Sequence, residues 1–209
     1  TGYEPMEPVD ITTMSYNVLA HNNSSQTYED YATRMAKVVT MIRAYDPDVI
    51  GLQEVARKST NYSHDWPGYL SGNLSEYACV RLDTQANNTS LMTIASGLMI
   101  MYKKDRFTLV SSGCKQFVSN ATVDGKTDKD TDRWFQWVQL KDNQTGAVFY
   151  FYNTHLSIDP TNSNYTSAQK AAMGHIHRTN ECQTLATHIA STTKATKCPF
   201  FIAGDFNTS

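Results

Sequence analysis

The sequence of 209 residues predicts an α/β fold organised around a mixed sheet. Short apolar runs typical of strands recur along the chain, and two segments carry apolar residues at helical spacing. The helical segments lie towards the two ends. Between them, strand-like runs are joined by short polar turns, which indicate hairpins.

The N-terminal elements alternate between strand and helix. Residues 11–19 predict a strand, and residues 48–54 (DVIGLQE) form an apolar run that closes on a carboxylate, which is typical of a buried strand. Residues 29–45 predict a helix that Pro47 ends. Its apolar positions at helical spacing are Tyr31, Met35, Val38, Val39 and Ile42.

The remaining elements follow from the same patterns. The predicted strands are residues 77–82, the pair 97–102 and 107–112, the hairpin 134–140 and 147–154, and the apolar run 199–203. Residues 165–193 predict a long helix. The polar stretches 58–72 and 119–132 predict loops, and the second contains four aspartates.

Composition excludes several classes of protein. The chain has 18 basic and 20 acidic residues, so no global basic field indicates a nucleic-acid binder, although a metal site can hold phosphate locally. Its 12 Tyr, 8 Phe and 3 Trp residues argue against disorder. No run of apolar residues is long enough for a transmembrane helix.

N-glycosylation sequons are far more frequent than chance predicts. With 14 Asn and 42 Ser or Thr residues, about three N-x-S/T patterns are expected, and ten are present. This excess predicts a glycosylated protein of a eukaryotic secretory pathway. We expect glycans on sequons in polar loops, and none on Asn207 if the site described below is active. The expected glycan sites are Asn61, Asn88, Asn120, Asn143 and Asn164.

Four cysteines fit two disulfides, for which three connectivities exist. Cys182 lies on the long predicted helix and Cys198 directly precedes the strand that follows it, so we predict that these two pair. Cys79 and Cys114 lie in or beside strands of the other half and form the second predicted pair. Four buried thiols are the alternative.

Polar residues follow four of the apolar runs at the point where each run ends. They are Asn17 in MSYN, Glu54 in IGLQE, His155 in FYNTH, and Asp205 with Asn207 in IAGDFN. Side chains at strand ends are aimed by rigid elements, and ligands and catalytic groups therefore gather there.

The residue types at these ends suit attack by water on phosphorus. Glu54 and Asn17 offer hard oxygen ligands for Mg²⁺ or Mn²⁺. Asp205 is suited to orienting water or accepting its proton, and His155 to donating to a phosphate oxygen. The nucleophile pattern G-x-S-x-G and the phosphate loop G-x-x-x-x-G-K are both absent from the sequence.

Five segments resemble, in order, the motifs of the endonuclease/exonuclease/phosphatase family, the deoxyribonuclease I-like superfamily. They are TMSYNVL (13–19), DPDVIGLQEV (46–55), GLMIMYKKDRF (97–107), YNTHLS (152–157) and FIAGDFNTS (201–209). The resemblance implies a single domain over residues 1–209 with the four-layer α/β/β/α sandwich of two mixed sheets. It also implies cleavage of phosphoester bonds with a divalent metal.

The resemblance also implies roles for individual residues. Glu54 would be the main metal ligand, with Asn17 beside it. His155 would contact the scissile phosphate, and Asp205 would position water. The resemblance further implies that Asn207 would position the phosphate. Asn153 would support the His155 strand end and belong to the phosphate-binding residues with Arg133, for which a surface ion pair is the alternative.

Other titratable residues are predicted to have no functional role. His175 and His177 are two residues apart, which places them on different faces of a helix, so we interpret them as surface residues. The aspartates of residues 119–132 lack the spacing of a Ca²⁺-binding loop, and a solvated loop is the simpler interpretation.

The sequence departs from the family pattern after GDFN. Family members carry a further acidic residue and an Asp-His pair there, and no residue after Asn207 matches them. We therefore expect a further C-terminal portion, or a partner chain, to complete the sheet and the site. The predicted function is a secreted Mg²⁺- or Mn²⁺-dependent phosphoesterase acting on nucleic acid or a phospholipid head group. The alternative is a non-catalytic relative serving as a structural or binding module in an extracellular assembly.

Overall fold

Two four-stranded sheets pack face to face in the computed structural model, which describes residues 10–19, 29–59 and 64–208. The strands are β1 (Thr13–Asn17), β2 (Val49–Gln53), β3 (Tyr77–Arg81), β4 (Leu98–Lys103), β5 (Phe107–Gln116), β6 (Ser119–Val123), β7 (Lys126–Asp130), β8 (Trp134–Asp142), β9 (Val148–His155) and β10 (Phe200–Asp205). The helices are α1 (Tyr31–Tyr45), α2 (Trp66–Asn73), α3 (Leu82–Gln85) and α4 (Ser167–Thr196).

Both large sheets are mixed. The first has the order β1-β2-β4-β3 and the second the order β10-β9-β8-β5, while β6 and β7 form a separate hairpin. In each large sheet one edge strand runs parallel to its neighbour: β1 beside β2, and β10 beside β9. These parallel pairs bring Asn17 level with Gln53, and Asp205 level with His155, at the ends of their strands.

The apolar side chains divide into three clusters that define four layers. The first cluster joins α1 and α2 to the outer face of the first sheet, around the fully buried Ile42 and Leu52. The second lies between the sheets and includes Val49 and Phe151. The third packs α4, through Leu185 and Ile189, against the second sheet. The α/β/β/α architecture is thereby confirmed.

The helices begin where the sequence supplies caps. The Asp30 side chain accepts a hydrogen bond from Thr33 N at the start of α1. Thr166 and Gln169 form a capping box at the start of α4, in which each side chain bonds the other residue's backbone N–H. None of the helices in the described ranges is long and apolar enough to span a membrane.

Three local predictions were wrong. The strands β4 and β5 do not pair with each other, because β4 lies between β2 and β3 while β5 pairs with β8. The stretch 119–132 contains the β6–β7 hairpin instead of a loop, and 58–72 contains most of α2. The hairpin turns at Asp124 and Gly125, both with positive φ, which is the D-G signal of a two-residue hairpin turn.

All four cysteines are free thiols, so neither predicted disulfide is present. Cys182 lies fourteen residues before the end of α4 at Thr196, which is about 21 Å along the helix at a rise of about 1.5 Å per residue. Cys198 follows that end. A disulfide requires Cα atoms within about 7 Å, so a helix lying along its own strand separates these two residues.

Cys79 and Cys114 point in different directions. Cys79 is paired with Met101, whose side chain packs in the cluster beneath α1 and α2, on the outer face of the first sheet. Cys114 is paired with Gln136, whose side chain donates to Val80 O in the opposite sheet and so points between the sheets. Cross-strand partners share a face, so the two thiols point in different directions, and they do not bond each other although both pack against the first cluster.

Candidate active site

The polar strand-end residues converge at one end of the seam between the two sheets. Asn17 and Asp205 are the last residues of β1 and β10, and His155 is the last residue of β9. Glu54 directly follows β2. Two elements of each sheet therefore contribute one side chain each.

Asn17 connects the two sheets by hydrogen bonding. Its Nδ2 donates to Glu54 Oε1 at 2.8 Å and to Asp205 Oδ2 at 2.9 Å. Its Oδ1 accepts from Leu19 N at 2.9 Å. The amide nitrogen, and not the oxygen, thus faces the carboxylates. In this arrangement Asn17 orients Glu54 and Asp205, and its role as a metal ligand stays a prediction.

Glu54 offers one free oxygen. The residue is only 9% exposed, and its Oε2 is buried with no hydrogen-bond partner among the described residues. Its backbone adopts φ 58°, a left-handed conformation that is uncommon outside glycine and concentrates at functional sites. An unpaired buried carboxyl oxygen is unfavourable, and a bound cation would satisfy it.

The donor set fits a cation that keeps most of its water. Within the described ranges, no three His, Cys, Asp or Glu side chains lie close enough to hold a metal together. Mg²⁺ commonly binds through one or two carboxylates and retains several waters. Glu54 Oε2, beside the ionisable Asp205, therefore suits Mg²⁺ better than a metal that needs an all-protein cage.

His155 is held in its neutral form. Burial and, less strongly, the positive charge of Arg133 lower its pKa to about 4, while Asp205 acts in the opposite direction. His155 Nε2 lies 3.9 Å from Asp205 Oδ2, beyond hydrogen-bond distance, and its buried Nδ1 has no partner among the described residues. A neutral imidazole with an unused ring nitrogen is free to bond a ligand.

Asp205 is held in its ionised form. Burial by itself raises its pKa, but hydrogen bonds from Asn17 Nδ2 and Asn207 N, with the nearby His155 and Arg133, bring the pKa below its ordinary value. A carboxylate at this position is an acceptor suited to water.

Arg133 supplies positive charge that acts on both His155 and Asp205. It is 6% exposed, and its Nη1 donates to Ala95 O at 3.2 Å. Burial lowers its pKa, and the acidic groups around it, including Asp130, Glu181 and Glu54, raise it. Arg133 is therefore a buried cation with acidic residues around it, and it does not form the surface ion pair that was the alternative.

Asn153 does not reach the site. It is fully buried between the sheets, where its Oδ1 accepts from Gln53 Nε2 at 2.7 Å. Its Nδ2 donates to Leu52 O at 2.9 Å and to Met99 O at 3.2 Å. The prediction that Asn153 binds phosphate is corrected: all its polar atoms join the sheets. It supports the strand end only from within the sandwich.

Asn207 lies at the rim, in the left-handed region with φ 47°. Its backbone N donates to Asp205 Oδ1 at 3.0 Å, and its Nδ2 donates to Leu156 O at 2.7 Å. Asn207 lines an open cleft of about 670 Å³ together with Asn17 and Asp205. It therefore braces the loop that follows His155 as well as facing the cleft.

Sequence reasoning missed a set of buried polar residues on α4. His177 is 1% exposed and bonds Ser119 Oγ at 2.9 Å and Asp128 Oδ2 at 3.1 Å, so the prediction that it lies at the surface was wrong. Glu181 is equally buried and bonds Ser157. The signal was present, because positions 177, 181, 185 and 189 follow at intervals of four along one helix face.

Comparison with known proteins agrees with this geometry. The model of the Endonuclease/Exonuclease/phosphatase family matches residues 14–209. The chain is 26% identical over 182 residues to the CCR4-Not complex 3'-5'-exoribonuclease subunit Ccr4 of Emericella nidulans, covering 73% of this chain and 25% of that protein. The chain thus spans about a quarter of that relative's length.

Solved structures share the fold at low identity. An endonuclease/exonuclease/phosphatase from Bacteroides vulgatus matches with a TM-score of 0.67 and 20% identity, over 97% of this chain and 67% of its own. A mannosyl-6-phosphatase from Bacteroides thetaiotaomicron matches with a TM-score of 0.62 and 18% identity, over 95% and 66%. The human Nocturnin catalytic domain with bound sulfate matches with a TM-score of 0.60 and 21% identity, over 95% and 65%.

The family match extends over nearly the whole chain, the two mixed sheets repeat the fold of the solved structures, and the strand-end residues meet at one site. The chain belongs to the endonuclease/exonuclease/phosphatase family.

Proposed function

We propose that this protein is a Mg²⁺- or Mn²⁺-dependent phosphoesterase that hydrolyses a phosphodiester by attack of water on phosphorus. The observation that carries the proposal is Glu54 Oε2, a buried carboxyl oxygen without a partner beside Asn17 and Asp205. Glu54 would hold the cation, which when bound would polarise the phosphate and neutralise developing charge.

The remaining residues act on water and phosphate directly. Asp205, ionised and bonded to Asn17 and Asn207, would accept a hydrogen bond from the attacking water. His155, neutral, would donate a ring N–H to a phosphate oxygen. Arg133 would add positive potential at His155 and Asp205. Positioning and charge neutralisation dominate phosphoryl-transfer catalysis, and these residues supply both.

We infer nucleic acid as the first candidate substrate and a phospholipid head group as the second. The curated relative is named an exoribonuclease, and the solved structures of this fold include a phosphatase. The identity to these proteins is low, and loops determine specificity on a shared fold. A panel of DNA, RNA, sphingomyelin and a chromogenic phosphodiester would separate the candidates.

The decisive experiment is Glu54→Gln, assayed with and without Mg²⁺. The wild-type protein is expected to hydrolyse a phosphodiester only with metal, and the variant is expected to lose activity by a factor of about 10² or more while remaining folded. Mn²⁺ binding followed by electron paramagnetic resonance gives an independent readout, and Glu76→Gln, an exposed carboxylate, is the matched control.

Two outcomes would decide against the proposal. Undiminished activity in Glu54→Gln would show that the site is misassigned. Metal binding without hydrolysis of any phosphoester would favour the non-catalytic binding module instead.

We further propose that the protein is secreted and N-glycosylated. Asn88, Asn120, Asn143 and Asn164 are exposed, so a glycan is sterically tolerated at each, although Asn120 lies on β6 and not in a loop. Asn61 lies outside the described residues. Intact-mass analysis before and after deglycosylation is the test, and an unchanged mass would refute the proposal.

We also propose that further polypeptide covers β10, either a longer C-terminal portion or a partner chain. Phe200, Phe201 and Ile202 on this edge strand are between 36% and 45% exposed, and an apolar strand edge invites pairing. Native mass spectrometry of the natural protein tests this. A stable monomer ending at Ser209 with nothing bound would contradict it.

A further inference from the structure

Ser157, two residues after His155, has every polar group occupied. Its backbone N donates to Glu181 Oε2 at 2.9 Å, and its carbonyl accepts from Arg178 Nη1 at 3.1 Å. Its Oγ contacts Asp130 Oδ2 at 2.7 Å and also contacts Glu181 Oε1. Hydrogen bonds from helix α4 and strand β7 therefore hold Ser157 and the segment that follows β9 in place.

The two contacts of Ser157 Oγ require a proton on one of the carboxyl groups. A hydroxyl carries one hydrogen and can donate it to one acceptor only. Asp130 and Glu181 both place an oxygen against that hydroxyl. If both were ionised, one carboxylate oxygen would lie against the hydroxyl oxygen with no hydrogen between them.

Glu181 is the group that carries this proton. It is 1% exposed, and burial raises its pKa; the negative charge of Asp130 raises it too, while Ser157 and Arg133 act in the opposite direction. Because Glu181 Oε2 accepts from Ser157 N, the proton belongs on Oε1. The hydrogen bonds then run in one direction, from Glu181 Oε1 to Ser157 Oγ and from Ser157 Oγ to Asp130 Oδ2.

We propose that Glu181 is a positioning residue whose neutral carboxylic acid fixes Ser157, and through it His155, in the catalytic geometry. The role rests on the proposed phosphoesterase function. An ionised Glu181 would lose its donor to Ser157 and place a second negative charge beside Asp130. The loop would then be released from α4 as the pH rises.

Several charged groups face Glu181. Asp130 faces it from β7, and Arg133 from the segment before β8. On its own helix, Cys182 interacts with it and Arg178 donates to Ser157 O. The proton on Glu181 is favoured by burial and by Asp130 against the single opposing charge of Arg133.

The test compares Glu181→Gln with Glu181→Ala. A glutamine amide presents one acceptor and one donor, as the carboxylic acid does. The wild type is expected to lose kcat at alkaline pH, where Glu181 ionises. Glu181→Gln is expected to keep kcat within about twofold of the wild type at neutral pH and not to show this alkaline loss. Glu181→Ala is expected to lower kcat by about 10- to 100-fold with little change in KM, because His155 would be displaced. Glu76→Gln is the matched control for an exposed carboxyl group.

A spectroscopic measurement makes the test independent of activity and of the folding of Glu181→Ala. Infrared spectra at neutral pH are expected to contain the C=O band of a protonated carboxyl group that is missing in Glu181→Gln. If the wild type hydrolyses the phosphoester but lacks that band, or if both substitutions lower kcat equally, the positioning role of Glu181 is refuted and the proposed function is not. A wild type that shows the band but hydrolyses no phosphoester would refute the proposed function, and the positioning role with it.

Discussion

Replacing Asn153 by alanine tests whether this residue is structural, as its position between the sheets indicates. The substitution removes the three shortest hydrogen bonds of the Asn153 side chain, to Gln53 Nε2, Leu52 O and Met99 O at 2.7 to 3.2 Å, and a longer one to Gln136 Oε1 at 3.4 Å. Each of the three is a buried bond between neutral groups and contributes about 1 kcal/mol. The free energy of unfolding is therefore expected to fall by about 3 kcal/mol.

This loss is measurable by thermal and urea denaturation. In a domain of this size 1 kcal/mol shifts Tm by about 2–4 °C, so Asn153→Ala is expected to lower Tm by about 6–12 °C. Asn162→Ala is the control, because Asn162 is exposed and its substitution is expected to change stability by less than about 0.5 kcal/mol.

Activity measured well below the unfolding transition separates the structural role from the phosphate-binding one. The KM for a phosphodiester is expected to be unchanged in Asn153→Ala, since no polar atom of Asn153 faces the cleft. A variant with wild-type Tm but a raised KM would refute this reasoning and restore the prediction made from the sequence.

Three further predictions concern titratable groups. Burial alone would raise the pKa of Asp142, but hydrogen bonds from the backbone N–H groups of the following turn and from Arg106 lower it below 3.8. The ionised Asp142 therefore stabilises the fold above pH 3.8, and this stabilisation is lost as the pH falls through the pKa of the folded state. Urea denaturation between pH 3 and 7 is expected to show this acid-dependent loss in the wild type and not in Asp142→Asn. Burial raises the pKa of Cys79 to about 11, and at pH 8 iodoacetamide is expected to modify the exposed Cys182 before Cys79. Thiol titration in denaturant without reductant is expected to find four thiols per chain, whereas two disulfides would leave none.

The strand-end residues could be predicted because the signal is local. Each of Asn17, Glu54, His155 and Asp205 closes its own apolar run, and the ends of neighbouring parallel strands meet at one edge of a sheet. The same signal did not distinguish a side chain at the end of β9 from one within it. Asn153 and His155 share a face of that strand, but Asn153 lies inside the sandwich and His155 at its end.

Pairing between distant segments could not be predicted from local patterns. Strands β4 and β5 are joined by only three residues, a length typical of a hairpin, but the chain instead crosses from one sheet to the other there. The β6–β7 hairpin was hidden by its many charged residues, although Asp124-Gly125 marks its turn. The burial of Glu181 depends on Ser157 and Asp130, neither of which is near it in sequence.

The division of the site between two sheets gives its geometry a mechanical sensitivity. Glu54 and Asn17 move with one sheet, while His155 and Asp205 move with the other. Asn17 bonds across the two sheets at the site, and Ser15 bonds Gly204 across them beside it. A small slide of one sheet over the other would change the distance between the two halves without altering any side chain there. Substitutions deep between the sheets are therefore expected to lower turnover, as substitutions at the cleft do. Their effect would come from a changed alignment of the two sheets and not from the loss of a catalytic group.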